Sequence, residues 1–208
     1  MPADPSFATD RSTAAYYDRR AAEYDEWYAG EGVFASRVRP GWEDEVGRLV
    51  ETVADLAPAS TIDVACGTGF LTRHLRGFVV GTDQSPSMVA IARDRIATGL
   101  AVVGDALDLS FAGGSFDRAF TGHFYGHLPP AERARFLAEV RRVAGELVVV
   151  DSAMRPDVQP EQWQERVLND GSRHRVYKRY LTASQLAVEI GGQPILDGPW
   201  FVAARVTW

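Results

Sequence analysis

The hydrophobic and polar positions change period along the chain. Over 12–29 (STAAYYDRRAAEYDEWYA), Tyr16, Tyr17, Tyr24, Trp27 and Tyr28 recur at helical spacing, and Ser12 or Thr13 can cap the helix. A second helix over 41–57 sets Val46, Leu49, Val50, Val53 and Leu56 on one face, and Pro58 helps end it. From residue 61 short apolar runs alternate with helical stretches. Strands are expected at 61–65, 78–83, 100–106, 116–122 and 146–152. Helices are expected at 69–75, at 85–97 with Ser85 as cap and Pro86 in the first turn, and at 130–144. Such alternation means parallel strands joined by right-handed crossovers. Residues 152–175 break the rhythm, with a helix expected around PEQWQERVL. RVYKRYL, a helix at TASQLAVEIG, and apolar runs at QPIL and WFVAARVTW follow. Residues 1–11, polar with two prolines, read as a loose arm.

Length and composition narrow the choices. At 208 residues with 46% hydrophobic content, one domain (1–208) with a substantial core is expected, without repeats. A net charge of −6 argues against a general nucleic-acid binder. Cys66 is the sole cysteine, which excludes an internal disulfide and a thiolate metal cluster, and no metal is expected. No apolar run approaches a membrane span and no signal-peptide core is present, so a cytoplasmic protein is expected, monomeric or weakly dimeric.

Candidate chemistry gathers where strands turn into helices. In DVACGTGFLTRHL, Gly67 and Gly69 permit close backbone approach and positive φ. A tight turn alone accounts for them, as does a dinucleotide or nucleoside site. The third position of a dinucleotide fingerprint is Thr72, which weakens the pyrophosphate reading. Asp83 ends the second strand, where a carboxylate can hold ribose hydroxyls, and Asp105 ends the third. FTGHFYGHLP follows the fourth. All four lie at carboxyl ends of adjacent parallel strands, the ligand side of open α/β sheets.

These motifs resemble those of class I S-adenosylmethionine-dependent methyltransferases. DVACGTG, VVGTDQSPSMVAIAR, GDALDLSF and FDRAFTGHFYGHL carry the resemblance over about residues 12–151. It implies an α/β, doubly wound, Rossmann-like seven-stranded sheet whose last strand is antiparallel. It also implies a helical lid region (12–57) and a short substrate-pocket insertion (152–180). The implied cofactor is S-adenosylmethionine, with S-adenosylhomocysteine as product. Gly67 and Gly69 would lie near its methionine part, Asp83 on the ribose and Asp105 with Ala106 at the adenine. Asp63, Thr68, Gln84, Met88 and Thr121 complete the implied cofactor set, with Tyr16, Arg20 and Tyr24 closing over the carboxylate from the lid.

Methyl transfer needs alignment in a dry site more than acid–base power. A protonated hydroxyl or amine acceptor gains from a base, and His123 and His127 follow the fourth strand beside the expected methyl position. His127 also reads as a purely structural hydrogen-bonding residue. No D/N-P-P-Y run is present, and Cys66 lies in the cofactor turn, where it reads as a small packed residue rather than a nucleophile. A small-molecule acceptor is therefore expected over a nucleic acid. A cofactor-binding protein with a regulatory or non-methylating role is the alternative.

The insertion, QERVLNDGSRHRVYKRYLTASQL, resembles that of small actinobacterial small-molecule methyltransferases of the phosphonate O-methyltransferase kind. By that resemblance Arg166 and Lys178 fall on basic pocket positions and Tyr28 on a pocket tyrosine, which implies O-methylation of an anionic metabolite. Lys178 stands out: the chain has 21 arginines and this one lysine. An ammonium is a compact point charge where guanidinium is a planar fork. Lys178 reads either as a substrate anchor with Arg166 or as a surface residue that happened to remain lysine.

Overall fold

The computed structural model describes residues 7, 8 and 10–208. Seven strands form one sheet: β1 (Thr61–Val64), β2 (Val79–Asp83), β3 (Gly99–Val103), β4 (Phe116–Gly122), β5 (Ala144–Ser152), β8 (Gln193–Asp197) and β9 (Phe201–Thr207). Their spatial order is β3-β2-β1-β4-β5-β9-β8. β1 to β5 run parallel and β9 enters antiparallel between β5 and β8, as the resemblance implied. β1 and the central residues of β5 are buried on both faces, which explains their unbroken apolar runs. Strand order reverses between β1 and β4, and the crevice at their carboxyl ends is where such sheets bind ligands.

Helices cover both faces: α3 (Trp42–Ala54), α4 (Pro86–Arg95), α5 (Pro130–Val143) and α6 (Ala183–Ile190). α4 begins as its sequence dictates, with Ser85 Oγ accepting from the Met88 N–H and Pro86 at the first position. Thr182 and Gln185 close a capping box on α6, and Gly191 ends it at φ 74°. Among the described residues no helix is long and apolar enough to cross a membrane.

Four local expectations are corrected. The lid is not one helix. α1 (Arg11–Arg20) gives way to a 3₁₀ turn at Ala21–Glu23 and to α2 (Glu26–Ala29). Its cap is Asp10, whose carboxylate accepts from the Ser12 and Thr13 N–H groups. Residues 69–75 hold only a 3₁₀ turn, Thr72–His74. The arm expected at 1–11 falls mostly outside the described residues, but Phe7 is buried, and its N–H and that of Ala8 donate to the Glu132 carboxylate.

The insertion is a β-hairpin, β6 (Glu161–Val167) paired antiparallel with β7 (Arg173–Arg179), where PEQWQERVL was expected to be helical. Glu, Gln and Arg favour helices in isolation. The turn decides otherwise. In Asn169-Asp170-Gly171-Ser172, Asp170 Oδ1 accepts from the Ser172 N–H, and Gly171 supplies φ 81°. Alternation along β6 then points Gln162, Gln164 and Arg166 inward as half-buried residues.

The lid is tied down at three places. Asp18 accepts from Ser85 Oγ and the Ser87 N–H, Asp25 holds Arg95 and Thr68 Oγ1, and Asn169 of the hairpin turn binds Glu23 and Glu26. Removing the Asp10 cap should loosen this segment from its start. Asp10→Ala is expected to cost about 1 kcal/mol of local helix stability. Amide exchange in α1 would then quicken about fivefold while the sheet stays protected; unchanged α1 exchange would show that the cap contributes nothing.

Candidate functional site

Two cavities meet at the carboxyl ends of the strands. The inner one, about 220 Å³, is walled by the segments after β1 to β4, including Gly67, Asp83, Gln84, Asp105 and Ala106. The outer one, about 680 Å³, lies between the lid, the segment before α3 and the hairpin. Tyr17, Tyr24 and His123 border both.

The inner cavity is built by backbone held under strain. Gly67 (φ 55°) and Gly69 (φ 78°) turn the chain after β1; a Cβ on Gly69 would sit 3.3 Å from the Ala92 backbone of α4. Ala65 (φ 59°) and His123 (φ 60°) adopt left-handed backbone without being glycine, and both stand on the cavity wall. Such conformations cost about 1–3 kcal/mol each and concentrate at functional sites. Asp83 is fixed by two N–H donors, Gly67 on Oδ2 and Ser85 on Oδ1, each at 2.9 Å, while burial raises its pKa. Asp105, exposed, accepts from the Leu107 N–H.

Asp63 lies beneath this turn. Thr72 Oγ1 donates to its Oδ2 at 2.6 Å, and its Oδ1 has no partner among the described residues. Burial pushes its pKa to about 8, so at neutral pH it is a protonated acid next to the site. Thr68 Oγ1 binds Asp25. Cys66 is half-buried, and burial raises its thiol well above the ordinary range, which keeps it protonated and unreactive.

Several expected site residues lie elsewhere. Thr121 is fully buried, and its hydroxyl donates to the Val64 carbonyl, stitching β4 to β1. Met88 is buried within the foot of α4 and borders neither cavity. Tyr16 supports Arg20 through its hydroxyl at 3.0 Å and packs on His174; the neighbouring Tyr17 faces the cavities. Tyr28 stacks on Phe70 at 3.7 Å and stays outside the outer cavity.

Both histidines line the outer cavity as neutral rings. His127 Nδ1 lies 2.6 Å from the Tyr177 carbonyl, which can only accept, so Nδ1 carries the proton and Nε2 keeps a lone pair. Its ring stacks on Phe7 at 4.6 Å. His123 packs edge-on against Trp27, and neither ring nitrogen has a partner among the described residues. Burial lowers the pKa of His123 to about 4 and that of His127 well below the ordinary value. A histidine-dependent fall in rate near pH 6.5, the usual mark of an imidazole base, is therefore not expected here.

Lys178 is buried on the outer wall rather than on the surface. Its Nζ meets Asp151 Oδ1 at 2.5 Å. Asp151, fully buried at the end of β5, also accepts from the Ser152 and Gly126 N–H groups. A Cβ on Gly126 would come within 2.9 Å of this carboxylate, so only glycine fits. Sequence reading missed Asp151, Arg37, Arg39 and Arg155. In all, six cations line the outer cavity (Arg20, Arg37, Arg39, Arg155, Arg166 and Lys178) against two carboxylates, Asp157 and Glu165.

Two measurements check this electrostatic picture. Lys178→Ala leaves Asp151 buried without its cation and is expected to cost about 3–5 kcal/mol in chemical denaturation; a loss under about 1 kcal/mol would mean that the pair is solvated. His123 is protonated in the unfolded chain below about pH 6.5 but in the folded chain only near pH 4. The unfolded state thus binds more protons across that window, and stability falls as pH falls, by up to about 1.4 kcal/mol per unit. His123→Asn should flatten that slope; an equal slope in both proteins would place the ring in solvent.

Comparison with known proteins accords with this geometry. Residues 62–146 match the family described as a methyltransferase domain. The chain is 38% identical over 112 residues to a demethylmenaquinone methyltransferase of Thermotoga maritima, covering 50% of this chain and 48% of that protein. An uncharacterized methyltransferase of Geobacillus kaustophilus is 33% identical over 150 residues, 68% of this chain and 64% of its own length. The chain thus spans about half the length of the first relative and under two thirds of the second. The solved structure of a DhpI–SAM–HEP complex superposes with a TM-score of 0.76 at 25% identity, covering 97% of this chain and 98% of that one. These likenesses make residues 62–146 a methyltransferase domain and give the whole chain the fold of the class I S-adenosylmethionine-dependent methyltransferases.

Proposed function

We propose that the protein transfers the methyl group of S-adenosylmethionine to an oxygen of a small anionic acceptor. The observation that carries this reading is the junction of the two cavities at Tyr17, Tyr24 and His123, with the strand-end cavity on one side and a cation-lined cavity on the other. The inner cavity suits the cofactor. Its Asp83 takes the ribose hydroxyls, the backbone around Gly67 and Gly69 takes the methionine portion, and Asp105 with Ala106 meets the adenine. Asp63 and Thr68 support the turn, Gln84 borders the ribose side, and Tyr24 closes from the lid, whereas Arg20 lines the outer cavity instead of the inner one. Bound, the cofactor supplies an activated methyl on a sulfonium.

The protein's own part is alignment and exclusion of water. Tyr17 and Tyr24 are half-buried, and loss of solvation raises their pKa values, so they stay protonated and flank the passage without adding charge. Arg166 and Lys178 face the acceptor from the hairpin. If the acceptor oxygen carries a proton, the Nε2 lone pair of His127 is oriented to accept it. An acceptor ionised beforehand needs no base, and the low histidine pKa values suit that case.

The test is direct. Incubated with S-adenosylmethionine and a panel of small phosphonates, phosphate esters and carboxylates, the protein should release S-adenosylhomocysteine faster with anionic acceptors than with their neutral esters. Asp83→Ala should weaken S-adenosylhomocysteine binding about ten- to a hundredfold, as loss of hydrogen bonds at a charged group does. Folded Asp83→Ala protein that binds normally, or release that favours neutral acceptors, would contradict the proposal.

A further inference from the structure

The outer cavity's six cations are not equivalent. Lys178 is neutralised by Asp151 at 2.5 Å, and Arg155 pairs with Asp157 at 3.1 Å. Arg39 donates to the Trp27 carbonyl and lies over the Trp42 ring at 3.9 Å. Arg20, Arg37 and Arg166 remain. No carboxylate pairs with any of the three among the described residues.

These three come from separate elements and converge on one space. Arg20 ends α1, Arg37 lies in the segment between the 3₁₀ turn Gly32–Phe34 and α3, and Arg166 lies on β6. The guanidinium groups of Arg20 and Arg37 both lie over the buried Phe34 ring, 5.9 and 4.7 Å from its centre. Arg20 also lies over Tyr24, at 4.8 Å. Aromatic faces hold a guanidinium in place while leaving its N–H edges free for an anion. Arg166 carries a buried Nε with no partner among the described residues. Burial, then the positive charges of Arg166 and Arg20, lower the pKa of Arg37, which places the three within electrostatic reach of one another.

Three mutually repelling cations gathered at one cavity, with Arg20 buried, Arg166 half-buried and Arg37 on the exposed rim, are costly unless an anion balances them. Guanidinium forks match the oxygens of phosphate-like and carboxylate groups bidentately. A single carboxylate would leave two charges uncompensated. We infer that Arg20, Arg37 and Arg166 form a clamp for a dianionic head on the acceptor, with Arg37 as the residue that sets the preference for two charges over one. The inference rests on the reading of the outer cavity as the acceptor site, and it transfers the anchoring role from Lys178 to Arg37. Lys178, its charge cancelled by Asp151, serves as a hydrogen-bond donor fixed in direction.

Inorganic phosphate is the probe. S-adenosylhomocysteine binding is measured first for the wild type and for Arg37→Gln and Arg37→Lys, substitutions at an exposed position. Phosphate is then titrated calorimetrically into each complex at pH 7.5 and low salt, with acetate as the monoanionic comparison. Phosphate should bind wild type at least tenfold more tightly than acetate. Arg37→Gln should lose about ten- to a hundredfold of the phosphate affinity, as expected for a lost charge-assisted hydrogen bond. Its acetate affinity should fall less, and Arg37→Lys should recover only part of the loss. Phosphate affinity within twofold of wild type in Arg37→Gln, or equal wild-type affinities for the two anions, overturns the clamp while leaving the methyltransferase reading intact. Failure of wild type to bind S-adenosylhomocysteine overturns both.

Discussion

Everything on the acceptor side hangs on the buried contact between Asp151 and Lys178. Asp151 closes β5, the strand beside β4 in the sheet, and Lys178 belongs to the hairpin, which makes no strand pairing with that sheet. The carboxylate also captures the Gly126 N–H, so it ties three elements: the sheet, the turn that carries His127, and β7. The His127 hydrogen bond to the Tyr177 carbonyl repeats the connection one residue away. Two buried charges are tolerated because each is met at hydrogen-bond distance and the remaining carboxylate capacity goes to backbone N–H groups. Lysine suits this geometry better than arginine, since a compact ammonium can sit against one carboxylate oxygen where a planar fork needs more room. That accounts for the chain's one lysine more fully than a direct role in anchoring substrate.

From this tie the site follows in order. The hairpin is held over the carboxyl ends of β4 and β5, its turn reaches the lid through Asn169, and the lid reaches α4 through Asp18. The two cavities are thereby closed by elements bonded to one another. Among the described residues, left-handed backbone outside glycine is confined to Ala65 and His123, where the chain turns out of β1 and β4. The charges divide by depth. The side chains that border the junction are themselves neutral, unprotonated His123 and protonated Tyr17 and Tyr24, with the Arg20 guanidinium 4.8 Å from the Tyr24 ring. Farther out, five guanidinium groups and Lys178 face only two cavity-lining carboxylates, Asp157 and Glu165. In the proposed reading a methyl group passes these neutral side chains and the charge of the acceptor is recognised beyond them.

The sheet was legible in the sequence because parallel strands buried on both faces read as unbroken apolar runs, and each was followed by a residue with ligand chemistry. Asp83, Gly67 and Asp105 stood out for that reason, and all three line the inner cavity. What escaped depended on tertiary context. The hairpin was hidden by helix-favouring Glu, Gln and Arg in β6, although the Asn-Asp-Gly-Ser turn announced it. Tyr16 was named by resemblance to the lid of the family, and the neighbouring Tyr17 is the one that borders both cavities. Asp151 looked like the last residue of a strand until Lys178 was placed against it. Arg37 and Arg39 sit in an irregular segment without periodicity, where only the assembled cavity shows their purpose. Thr121 and Met88 lie in motifs associated with the cofactor, yet their side chains serve strand stitching and core packing.

The central claim is that the junction bordered by Tyr17, Tyr24 and His123 is where the methyl group passes. A crystal structure with S-adenosylhomocysteine bound tests this most directly. The account predicts the thioether sulfur at that junction, facing the cation-lined cavity, with the ribose on Asp83 and the adenine beside Asp105. A sulfur turned away from the junction, or an adenine filling it, would contradict the account.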